Sequence, residues 1–100
     1  MVMTVLEAHV TQENWEALER SYQQAASHRD AGLVQSFLVH SKKEVDLWQI
    51  ITVWESQEAL NAMRSSGETP RGVLMFRSAK AEPVLSVFQV VQQRAPEWIG

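Results

Sequence analysis

With 100 residues, 45% of them apolar, the chain has room for one domain and enough hydrophobic content for a core. A net charge of −3, a pI near 5.5 and nine scattered Lys and Arg residues exclude a basic nucleic-acid-binding face. The absence of cysteine excludes disulfides and thiolate chemistry.

The stretch from Met1 to Leu6 lacks a basic lead and breaks at Glu7, unlike a signal peptide. No apolar run approaches the roughly 20 residues of a membrane span. A cytoplasmic protein with no membrane partner is expected.

Residues 2–10 read as a first strand. Val2, Leu6, Ala8 and Val10 lie on one face, with Met3, Val5, Glu7 and His9 on the other. Thr11 is placed to cap a helix over residues 12–28, where Trp15, Leu18, Tyr22, Ala25 and Ala26 recur at helical spacing. Gly32 supplies a left-handed stop. Residues 33–40 form a second strand, and the polar turn at 41–44 leads into a third at 46–55. So short a connection makes these two strands an antiparallel hairpin.

The third strand runs straight into a helix. Ile50, Ile51, Thr52 and Val53 suit a pleated surface. Ser56 then stands at the N-cap, Glu58 suits the positive end of the helix dipole, and Ala59, Leu60 and Met63 share one face. This helix is predicted to end near residue 66. Gly67, Pro70 and Gly72 break the chain, residues 73–79 suit a short further helix, and residues 84–92 follow Pro83 as a fourth strand. Residues 1–93 are thus one domain and 94–100 a tail, where Trp98, beside Ile99, is expected to pack on a partner subunit or to be disordered.

The order β-α-β-β-α-β is the split βαβ, ferredoxin-like arrangement of the α+β class, with both helices on one face of a four-stranded sheet. The strands are apolar on both faces. Leu47, Ile51 and Val53 oppose Trp48, Ile50 and Trp54, and Val84, Phe88 and Val90 oppose Leu85, Val87 and Val91. One helical layer covers one face only, so the other predicts a homodimer with two sheets face to face.

These features resemble the antibiotic biosynthesis monooxygenase family, within the dimeric α+β barrel superfamily. The likeness is carried by Val5-Leu6-Glu7-Ala8, by Gly32, and above all by Trp54-Glu55-Ser56-Gln57-Glu58-Ala59-Leu60. It spans about residues 2–92. The resemblance implies a dimer and, in some members, oxygenation of aromatic polyketides and quinols without metal or flavin. Its haem-degrading branch is a poor match. That branch's first-strand Asn falls among Val5, Glu7 and His9, its helical Trp near Met63, and its haem-ligating His near Phe76. No cofactor is therefore expected.

Glu7 and His9 share a strand face and are expected to point into the space between sheet and helices. His9 suits a general base near neutrality, with Glu7 orienting it. The plainer alternative is a solvated strand end. Trp54, Tyr22, Met63, Phe76 and Arg64 are candidates for the wall of a pocket for a flat aromatic ligand, and the loop at 67–72 for its lid. Each also has an ordinary reading: core filler for Met63, a solvated cation for Arg64, the dimer seam for Trp48 and Trp54. His40 reads as a turn residue and His28 as a solvated helix end. No histidines or carboxylates have metal-ligand spacing.

The expected function is a cofactor-independent monooxygenase acting on a quinol-like or polycyclic phenolic molecule. The alternatives are a non-catalytic dimeric small-molecule-binding module, or an isomerase or lyase using the same base. Whether His9 and Glu7 face an enclosed apolar pocket discriminates between them.

Overall fold

The computed structural model describes residues 1–28 and 30–94. Strand β1 (Val2–His9) leads through one 3₁₀ turn (Gln12–Asn14) into α1 (Trp15–Ala25). The hairpin β2 (Leu33–His40) and β3 (Leu47–Trp54) follows, then α2 (Gln57–Arg64), α3 (Arg71–Ser78) and β4 (Val84–Gln89). The strands lie in the order β2-β3-β1-β4, and every neighbouring pair is antiparallel. This is the expected ferredoxin-like α+β arrangement. No helix among the described residues is long and apolar enough to cross a membrane.

Local chemistry explains the joints. Ser56 is extended (φ −157°, ψ 164°), and its Oγ accepts the Ala59 N–H at 3.1 Å, satisfying one orphan donor of α2. Gly32 has φ +82°, and a Cβ there would collide with the Ala59 side chain. Its carbonyl accepts the Glu55 N–H at 2.8 Å, so a glycine holds β2, β3 and α2 together where no larger residue fits. Thr11 departs from expectation. Its hydroxyl accepts from Asn14 Nδ2 at 3.0 Å and caps no backbone N–H, because the chain enters α1 through the 3₁₀ turn. The last strand stops at Gln89, three residues early. The tail residues Trp98 and Ile99 lie outside the described residues.

Val2, Thr4, Leu6 and Ala8 of β1 and Trp48, Ile50, Thr52 and Trp54 of β3 point toward the helices. Two apolar clusters form there. One joins Ala8, Val10, Leu18, Trp48, Ile50, Met75, Phe76 and Ala79, and the other Val2, Trp54 and Leu60 with Leu33 and Met63 against them. The opposite face has no covering layer among the described residues. It carries Met3, Val5, Ile51, Val53, Phe37, Val84 and Phe88, with Val84 70% and Phe88 53% exposed.

Candidate functional site

Between the sheet and its helices lies a cleft of about 800 Å³, which draws its walls from both apolar clusters. Ile50 and Met75 come from one, Trp54 and Leu60 from the other. Alternation along the strands decides its floor, to which β1 gives Thr4 and Leu6, β2 Ser36, and β3 Ile50, Thr52 and Trp54. Strand register then sets Ser36 opposite Thr52, and Thr52 opposite Thr4. Three hydroxyls therefore form a row across three strands, in the middle of an otherwise apolar surface.

The row is hydrogen-bonded at both ends. From α1, the Tyr22 hydroxyl donates to Ser36 Oγ at 3.0 Å, and Ser36 Oγ lies 3.5 Å from Thr52 Oγ1. From the end of β3, Trp54 Nε1–H donates to Thr4 Oγ1 at 3.2 Å. Burying polar groups costs free energy unless they are paired, and these bonds offset that cost.

Leu60, Met63 and Arg64 of α2 form one wall, and α3 forms another. At Gly72 α3 comes so close to the sheet that a Cβ would lie 2.5 Å from Leu6 Cδ1. The mouth carries His28 and Asp30 from the α1–β2 connection, Glu68 from the α2–α3 connection and Arg71 at the start of α3. Arg71 Nε lies 3.5 Å from Asp30 Oδ1, joining the two sides of the opening. Residues 68–72, within the loop expected to form a lid, line this mouth.

Four of the expected wall residues meet here: Trp54, Tyr22, Met63 and Arg64. Phe76 does not. It is fully buried among Leu18, Trp48 and Met75, filling the core on the helix side. Trp48 belongs to that core as well, its ring stacked on His40 at 4.0 Å with Trp15 edge-on, so it lies in neither cleft nor seam.

His9 and Glu7 are also displaced from expectation. They share a strand face, but it is the face turned away from the helices. Both faces of β1 are apolar, and the set containing Val2, Leu6 and Ala8 packs against the helices instead. His9 is exposed, with Nδ1 3.1 Å from Asp46 Oδ1. That hydrogen bond raises the imidazole pKa above its ordinary value and lowers that of Asp46. Glu7 accepts from Gln49 Nε2 at 2.6 Å. Neither side chain lines the cleft.

The residues not anticipated are Ser36, Thr52 and Thr4. Their signal was present: one small hydroxyl residue in the middle of the cleft-facing side of β1, β2 and β3. Among the described residues, no three His, Asp or Glu side chains lie close enough together to hold a metal ion.

The family model described as antibiotic biosynthesis monooxygenase matches residues 1–72. Among solved structures, the chain is similar to SnoaB, a cofactor-independent oxygenase from Streptomyces nogalater (19% identity, TM-score 0.68, covering 96% of this chain and 97% of that one). It is also similar to MhuD, a heme-degrader from Mycobacterium tuberculosis solved with two hemes in its active site (21% identity, TM-score 0.70, covering 95% and 100%). A third, from Bacteroides thetaiotaomicron, is a conserved protein of unknown function (20% identity, TM-score 0.66, covering 87% and 94%). No curated protein sequence matches. At these identities the structural likenesses establish the fold alone.

Proposed function

Because the chain belongs to the antibiotic biosynthesis monooxygenase family, we propose that it is a cofactor-independent monooxygenase acting on a polycyclic phenol or quinol-like molecule bound in the cleft between sheet and helices. One observation carries this reading: a cleft of about 800 Å³ whose apolar walls enclose a row of hydroxyls at the floor. That volume lies within the usual range of small-molecule sites, roughly 300–1,000 Å³. Its walls suit the faces of fused rings, and its floor suits an oxygen on their leading edge.

The chemistry asks little of the protein. An ionised phenol, or its keto tautomer R₂CH₂ after loss of a proton, gives one electron to O₂. The radical pair joins through a new C–O bond and takes up a proton to give R₂CHOOH. Breaking the O–O bond then expels water and leaves R₂C=O, so the net change is R₂CH₂ + O₂ → R₂C=O + H₂O. The substrate supplies the electrons and O₂ is the oxidant. The cleft has only to hold the anion and exclude water. His9 and Glu7 have no place in this step, being on the other face of the sheet. The carboxylates and the imidazole that reach the cleft, those of Asp30, Glu68 and His28, stand at its mouth.

That absence of a floor base among the described residues also favours a second reading, a module that binds such a molecule without turning it over. Oxygen uptake by the purified protein on a panel of anthrones and naphthols separates the two. The oxygenase reading expects uptake above autoxidation, retained in His9→Ala and reduced in Met63→Trp, which narrows the cleft from its α2 wall. Saturable binding without uptake across the panel would instead leave the binding module.

The same reading makes the protein a homodimer through its uncovered sheet face. Phe37, Val84 and Phe88 are each more than 40% exposed there, beside half-buried Val5, Ile51 and Val53. A contiguous apolar face of this kind is rare on a lone soluble domain.

A further inference from the structure

We propose that Thr4 and Thr52 form a paired-donor site that binds one oxygen of the ligand as its anion, with Tyr22 and Trp54 acting as positioning residues behind them. This rests on the reading that a phenolic ligand occupies the cleft, and it names which atoms recognise that ligand and in which charge state.

The argument is one of proton counting. A hydroxyl carries one proton and two acceptor positions. The Tyr22 hydroxyl donates to Ser36 Oγ, which leaves the Ser36 proton free; across the 3.5 Å to Thr52 either hydroxyl can donate, and in the proposed site Ser36 does. In that arrangement Thr52 keeps a proton with no acceptor assigned among the described residues. On the other side, Trp54 is a donor only, and it donates to Thr4 Oγ1. Thr4 likewise keeps its proton. Two chains of hydrogen bonds thus run inward from opposite ends and stop at neighbouring residues.

Those residues face each other directly across β1 and β3, where facing Cβ atoms lie roughly 4.5–5.5 Å apart. Both line the cleft, and Thr4 is more than nine-tenths buried. A single ligand oxygen over this pair receives two O–H donors, each polarised by the donor behind it. Trp54 cannot accept, so the Thr4 proton has no acceptor behind it and is free for a ligand oxygen. Hydrogen bonds to the charged form favour ionisation. The ligand class is therefore a fused-ring phenol held as its phenolate, or the equivalent enolate.

The test uses 2-naphthol, whose absorbance reports its own ionisation, titrated with pH in the presence and absence of the protein. In the wild type the bound naphthol ionises at a pH lower by about one unit, a tenfold change in its ionised fraction at a given pH. The double variant Thr4→Val/Thr52→Val still binds the ring but loses the shift, and Tyr22→Phe, with its contact to Ser36 removed, loses part of it. A purely structural role for these hydroxyls would change melting temperature and leave the shift intact. A shift unchanged in the double variant, or no shift in a wild type that binds, overturns the paired-donor site and leaves the cleft reading standing. No binding of the naphthol to the wild type overturns both. Circular dichroism on the same samples establishes that each variant is folded. Should Thr4→Val/Thr52→Val fail to fold, Thr52→Ser and Thr52→Val alone carry the comparison, with the shift kept in the first and reduced in the second.

Discussion

The two faces of this sheet are built from the same strands and point in opposite chemical directions. Toward the helices, the middle of the sheet carries Ser36, Thr52 and Thr4 in one enclosed row. One residue along, on the uncovered face, stand Phe37, Ile51 and Val5, in register with one another. An antiparallel sheet covered on one side ordinarily alternates apolar-in and polar-out. Here the centre is reversed. Enclosed hydroxyls and apolar groups left partly wet each weaken a lone domain, the first through desolvation and the second by about 25 cal/mol for every Å² left wet. Departures of this kind are expected where function is placed. The pattern is consistent with a ligand on one side and a second copy on the other.

The largest effect expected comes from placing a charge in the uncovered face. Ile51 sits between Val5 and Phe37 across the strands, at the centre of that face. At the proposed seam Ile51→Asp would bury an unpaired carboxylate, at a cost of about 3–5 kcal/mol. The variant should sediment as a monomer, against the dimer proposed for the wild type. A wild type that is monomeric throughout the same range would remove the seam, and the exposed apolar face would then need another partner.

On the other side, Phe76 and Met63 sharpen the distinction between core and cleft. Phe76→Ala should lower stability by about 3–5 kcal/mol, as for other fully buried aromatic residues, read by chemical denaturation. While folded, it should bind a naphthol within about twofold of the wild type. Met63→Ala should do the reverse, weakening the ligand by about tenfold, roughly 1.4 kcal/mol, with a smaller loss of stability. If Phe76→Ala abolished binding in a protein that is still folded, Phe76 would belong to the cleft after all.

Elements and topology were readable because local signals agreed. Ser56 caps where an N-cap was expected, Gly32 turns left-handed where a stop was expected, and the period-two pattern of β1 separates Val2, Leu6 and Ala8 from Met3, Val5, Glu7 and His9. What the pattern could not say was which of those two apolar sets meets the helices. That choice depends on where α1 and α3 land, and it carried His9 and Glu7 to the wrong side. The hydroxyl row was harder still. Thr4, Ser36 and Thr52 lie far apart in sequence and become one feature only through the register of three strands. Trp54 and Tyr22 were found because large amphipathic side chains stand out singly, whereas a threonine on a strand is ordinary until its neighbours are known.

The smallest effect expected concerns His9, and its sign can be worked out. The hydrogen bond to Asp46 raises the imidazole pKa above 6.5, so folding favours the protonated ring. The stability this adds is complete below the unfolded value and disappears as pH climbs through the raised folded value. The same bond lowers Asp46 below 3.8, so its contribution is present above that value and fades as pH falls through the depressed one. The pair therefore helps only in the acid window between the two folded values. Both side chains are more than half exposed, and exposed pairs contribute little. His9→Ala should melt slightly below the wild type near about pH 5 and coincide with it near about pH 9, where the imidazole is neutral. Its oxygen uptake should match the wild type at both, since the ring lies across the sheet from the cleft. Uptake that fell with His9 while the dimer and the fold survived would return this residue to the chemistry and move the site toward the seam, making the two faces one functional unit.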